Sequence, residues 1–206
     1  AELIRTLQTA KDEETQPERH NRFTLHTYAG LILGLGFRPV IDPRLIDVGS
    51  NQGTVVTFGD KLKSDYDRRL SVIPKIIEGQ LKLYAAHIRD LRASDFLPAA
   101  DNGTFYWWDS DKQGFIRFRP THFEMVTRTT FGLEAYALRR FMRTALAEEP
   151  DAVGEDIDCW MGHWFLRVSP HDSLSAYPFN RQVKFAAGPV SRIIERLGYR
   201  AMAGIP

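Results

Sequence analysis

Several stretches of the chain place apolar residues at three- and four-residue steps, the period of a helix with one buried face. Residues 22–36 are apolar enough for a buried helix ending near Gly34 and Gly36. Residues 74–93 (PKIIEGQLKLYAAHIRDLRA) form an amphipathic pattern that opens on Pro74 and is broken after it by SDFLP. In FGLEAYALRRFMRTAL (131–146), Leu138, Phe141, Met142, Ala145 and Leu146 would share the buried face. A short helix entered through acidic residues is expected within 151–163, and a last one within GPVSRIIERLG, with Pro189 near its start and Gly198 after its end. A further helix is expected after Pro120, with Thr121 as its cap.

Two segments carry strand patterns instead. GTVVTFGDK and RRLSVIP read as a β-hairpin with lysines in its turn. TFYWWD and GFIRFRP read as a second, shorter pair around DSDKQG. The polar run KDEETQPERHN (11–21) reads as a linker, so residues 1–21 are taken as an N-terminal arm and 22–206 as one domain. The opening AELIRTLQTA has the look of an interrupted helix, as in a fragment or excised domain. The expected fold class is α+β, mainly α, with a small antiparallel sheet.

Composition changes this picture little. The 206 residues, 43% hydrophobic and 26% charged, are enough for one well-cored domain. The net charge of +1 does not by itself announce a nucleic-acid binder; the local clustering does more, since residues 128–143 hold four arginines and one glutamate. The single cysteine, Cys159, excludes an internal disulfide framework, fits a reducing, cytoplasmic setting and is expected to be buried and inert. No run is long and apolar enough to span a membrane, and no signal peptide is visible. His122, His163 and His171 lack the spacing of a metal site. The tryptophans at 107, 108, 160 and 164 are expected in core packing rather than base stacking.

The arginine cluster needs a reason. Arg140 falls opposite the apolar stripe, but Arg139 falls at its border, with Tyr136 three residues before it and Arg143 four after it on the same side. Arg139 would either lay its stem on the core with its head in water, or share an anion with Arg143. Elsewhere, Arg38 follows the buried helix, Lys61 lies in the hairpin 23 residues later, His163 closes MGH 24 residues after Arg139, and Tyr177 follows in a loop.

This order resembles the catalytic domain of the tyrosine recombinases (the phage integrase family) over roughly residues 22–199. The resemblance implies a helical, DNA breaking-rejoining fold, and a site-specific recombinase or integrase that cuts and rejoins double-stranded DNA through a covalent 3′-phosphotyrosine. By the same resemblance, Arg38 and Arg139 would clamp the phosphate, Lys61 would protonate the leaving 5′-oxygen, Tyr136 would stand where the family usually has histidine, His163 would assist and Tyr177 would attack. Lys63, Arg68, Arg140 and Arg143 are candidate DNA contacts. A tetramer on two DNA sites is implied, without a cofactor or a metal. The departures are Tyr136 for histidine, Ile41 where an acidic residue is usual, and a 14-residue gap from His163 to Tyr177. Tyr199 ranks second as nucleophile, and the alternative is a catalytically degenerate, DNA-binding relative.

Overall fold

In the computed structural model, residues 1–9, 13–40, 47–49, 55–59, 68–94, 96–97, 105–163 and 179–203 are described. The chain is mainly helical, with small antiparallel sheets. Helix α1 (Glu2–Gln8) turns Leu3, Ile4 and Leu7 into the core against α2 (Gln16–Leu35). The polar run expected as a linker therefore gives its second half to α2. The helix starts six residues earlier than the apolar pattern because a capping box fixes it. The Thr15 N–H donates to Glu18 Oε2 (2.8 Å), the Glu18 N–H donates back to Thr15 Oγ1 (3.4 Å), and Pro17 sits in the first turn.

Helix α2 is buried on nearly every side from Phe23 to Leu35, so it is the axis of the core. Helix α3 (Lys75–Ala93) packs along it through Ile77, Gln80, Tyr84, His87 and Ile88, which recur at helical spacing. The polar members of that face are paired. Gln80 donates to Thr27 Oγ1 (2.9 Å), and His87 Nε2 lies 2.9 Å from His20 Nδ1.

Strands β1 (Asp47–Gly49), β2 (Val55–Gly59) and β3 (Arg68–Val72) form an antiparallel sheet in that order, with Asp47 opposite Thr57 and Val55 opposite Val72. The hairpin of β2 and β3 follows the sequence pattern. The three-residue β1 is too short to show a period of two. Strands β4 (Tyr106–Asp109) and β5 (Gly114–Arg117) make a separate pair, and Asn21 docks it on α2 by donating to Trp108 O (2.9 Å) and accepting from Trp108 N (2.7 Å).

Helix α4 (Pro120–Phe131) starts with Pro120 in its first turn, so its cap is Arg119 and not Thr121. His122 Nδ1 accepts the Arg119 N–H at 3.0 Å and its ring stacks on Trp107. Helix α5 (Ala137–Ala147) buries Arg139, Met142 and Leu146, while Phe141, expected on that face, is 45% exposed. The buried line runs Ala135, Arg139, Met142, Leu146, and its four-three-four steps leave Phe141 to one side. Helix α6 (Gly154–Met161) carries the buried Cys159.

Helices α7 (Phe179–Phe185) and α8 (Ser191–Arg196) flank a π segment, Ala186–Val190. Pro189, expected to open a helix, lies inside this continuous one. Proline has no N–H to give and its ring crowds the preceding turn, and the wider π turn accommodates both effects. Glu149, just past α5, accepts from Arg192 at 3.0 and 2.8 Å and from Arg196, tying α5 to α8. Among the described residues no helix is long and apolar enough to cross a membrane.

Candidate functional site

The ends of three helices meet around one guanidinium. Helix α2 stops at Gly36 in the left-handed conformation (φ 58°), and α6 stops at Met161. The last carbonyls of a helix have no partner within it and carry the negative end of its dipole. Arg139, from the first turn of α5, gives Nε to Gly36 O at 2.8 Å and Nη2 to Met161 O. Trp160 adds a parallel tie, Nε1 to Gly34 O at 3.1 Å. Arg139 is only 6% exposed. Of the two placements its spacing allows, the head in water is therefore excluded: the head is buried on backbone carbonyls contributed by two other elements.

Gly36 is required here twice over. A Cβ at this position would lie 2.6 Å from Trp160 O, and the backbone is already in the region that penalises a side chain. Gly36→Ala is therefore expected to destabilise the fold by about 2–4 kcal/mol, from left-handed strain plus displacement of α6. Urea unfolding would measure it, and a loss within about 0.5 kcal/mol would contradict the close approach of α2 and α6.

The same corner gathers the other candidates. Arg38 stands two residues past Gly36 and is half-buried. His163 stands two residues past Met161, its side chain 40% exposed, with its backbone N–H on Asp158 O (2.8 Å) and Nδ1 3.9 Å from Asp158 Oδ1. Partial burial and then the charge of Arg139 hold the His163 imidazole below its usual pKa. Asp158 opposes them, and Arg38 and Arg143 add to the depression. The charges of Arg38, Arg139 and Arg143 thus all reach the His163 imidazole, which is mostly neutral at neutral pH.

Tyr136 occupies the cap position immediately before α5. Arg143 is exposed one turn beyond Arg139. Arg140 points to solvent and pairs with Glu134. Arg68 begins β3 opposite Gly59. Lys61, Lys63, His171 and Tyr177 lie outside the described residues. Tyr199 is 1% exposed, stacks on His26 at 4.3 Å and donates to His26 O (3.2 Å), and burial pushes its hydroxyl far above the usual pKa. It belongs to the core, which removes it as a nucleophile.

Asp158 is the neighbour that sequence reading missed. It lies five residues before His163, and only the turn at Gly162 brings it back alongside the imidazole. Among the described residues no group of three His, Cys, Asp or Glu side chains is placed to hold a metal ion. No protein-family model, curated protein or solved structure matches this chain.

Proposed function

We propose that the chain cuts and rejoins double-stranded DNA as a site-specific recombinase of the tyrosine type. The supporting observation is the convergence of Arg38, Arg139, Arg143 and His163, from three separate elements, on one partly exposed corner. Cations in a partly desolvated site stabilise the extra charge that a phosphodiester gains when it is attacked. In this reading the Tyr177 oxygen attacks phosphorus and the bond to the 5′-oxygen breaks. Lys61 supplies the proton that makes a 5′-hydroxyl, and the neutral His163 accepts the tyrosine proton. The phosphotyrosyl bond keeps the energy of the broken linkage, so the reverse step reseals DNA without a nucleotide. Two DNA sites held by a tetramer complete the proposal.

One observation favours a second reading, a DNA-binding relative that does not cleave. Arg139 donates Nε and Nη2 to backbone carbonyls, so neither of those groups points at a phosphate.

Covalent trapping separates the two. The protein is incubated with libraries of nicked duplexes and resolved on denaturing gels, with Tyr177→Phe alongside. An adduct that disappears in Tyr177→Phe is the expected result. An adduct that persists would move the nucleophile to another residue. Absence of any adduct, with duplex binding retained, would replace catalysis by the second reading.

A further inference from the structure

The four arginines between residues 128 and 143 have three kinds of surroundings. Arg128 donates to Glu124 at 3.0 Å, and Arg140 pairs with Glu134; both are solvent-facing ion pairs. Arg139 is buried on two helix-end carbonyls. Arg143 is exposed and, among the described residues, has no carboxylate or carbonyl partner, and its charge reaches the His163 imidazole as those of Arg139 and Arg38 do. The like charges of Arg139 and Arg143, four residues apart on one helix, repel by a few tenths of a kcal/mol. An anion shared among them would reverse the sign of that interaction.

The two bonds of Arg139 show where such an anion would sit. They end on Gly36 and Met161, each two residues before a candidate side chain, Arg38 and His163. Arg139 therefore fixes the two strands of backbone that carry these groups. Arg143, four residues on, rises on the same side of α5 toward solvent. Fixed geometry under an accessible guanidinium is what planar, two-pronged recognition of a tetrahedral oxyanion needs.

We propose that Arg143, together with Arg38 and His163, is the direct contact to a bound oxyanion, while Arg139 acts as the positioning residue beneath them. This exchanges the roles expected for Arg139 and Arg143. It rests on the recombinase reading only in naming a DNA phosphodiester as the natural oxyanion.

The test follows the His163 ring resonances by NMR in the full chain at low ionic strength, as inorganic phosphate is added. A saturable shift is expected in the parent protein. Arg143→Gln should weaken phosphate binding at least tenfold, and Arg143→Lys, which keeps the charge without the fork, by a smaller factor. Arg128→Gln should stay within twofold. Melting curves of both Arg143 variants should match the parent, since the side chain is exposed. Phosphate that shifts no His163 resonance, or that binds Arg143→Gln as it binds the parent, would overturn the proposal. A short duplex is then added to the phosphate-bound protein. Displacement of phosphate identifies DNA as the source of the oxyanion. Failure of the duplex to displace it leaves Arg143 as an oxyanion contact and removes the recombinase reading instead.

Discussion

Arg139→Met is expected to lower the stability of the fold by about 3–5 kcal/mol, because the substitution strands two buried carbonyls that a charged donor now satisfies. For a chain of this size, that is a fall of roughly 10 °C in melting temperature. Methionine fills much of the same space, so the loss reports the hydrogen bonds to Gly36 O and Met161 O more than a cavity. Arg140→Met, next to it on the same helix, removes an exposed pair with Glu134 and should change stability by less than about 0.5 kcal/mol. Urea titrations of both variants measure the contrast. Equal, small losses would mean that α2, α5 and α6 are not joined at this guanidinium.

Acid should weaken the protein well above the pH at which its carboxylates titrate. His20 and His26 are each held at a pKa of about 4, chiefly because burial penalises the imidazolium. His20 lies between His87 Nε2 and Tyr106 O, and the charge of His87 lowers it further. His26 stacks on Tyr199, contacts Arg200 O at 2.9 Å and feels the charge of Arg22. The folded pKa lies below the ordinary 6.5 in both cases, so the unfolded chain binds more protons once the pH drops beneath 6.5. Stability is complete above that value and is lost as pH falls from 6.5 toward 4. The loss is about 2 kcal/mol per histidine at pH 5 and about 3 kcal/mol at pH 4. His87, lowered mainly by burial, contributes with the same sign. Denaturation midpoints at pH 7, 6, 5 and 4.5 would show the slope. His26→Phe should be less stable at pH 7, having orphaned the Arg200 carbonyl, yet lose less between pH 6.5 and 4.5 than the parent. Parallel slopes would exclude His26 as a source of the acid lability.

Much of the fold was legible because it rests on local pattern. The β2–β3 and β4–β5 hairpins, α3 and the buried α2 follow from period and turn residues. The start of α2 was also written in the chain, as Thr15-x-x-Glu18 with Pro17 between. The surrounding charge of KDEETQPERHN drew the reading toward a linker, although charge does not prevent a capped helix. Helix α7 offered only Gln182 and Phe185 as buried positions, too few to show a stripe, and Pro189 looked like a beginning. The grouping of Arg38, Arg139 and His163 came from their order, since nothing in their spacing brings distant segments together. The fate of the Arg139 head was not legible at all. An arginine at the border of a stripe can reach water or the core, and here the choice was made by carbonyls that end two other helices. Asp158 was hidden for the same reason, because its approach to His163 depends on how α6 terminates.

The π segment has a consequence for how the last helices meet the core. From α7 through α8 the buried positions include Gln182, Ala186, Val190 and Ile194, a strict four-residue repeat. In a plain α-helix each residue advances about 100°, so every such step overshoots a full turn by about 40° and three steps by about 120°. Ile194 would then have rotated off the face that Gln182 presents. The i to i+5 bonding of residues 186–190 admits an extra residue into one turn and resets the angle. Ile194, 0% exposed, therefore stays inward on the line begun by Gln182. Pro189 is thus part of a phase correction: it marks where the helix changes its pitch so that a sequence repeating every four residues can keep one straight seam.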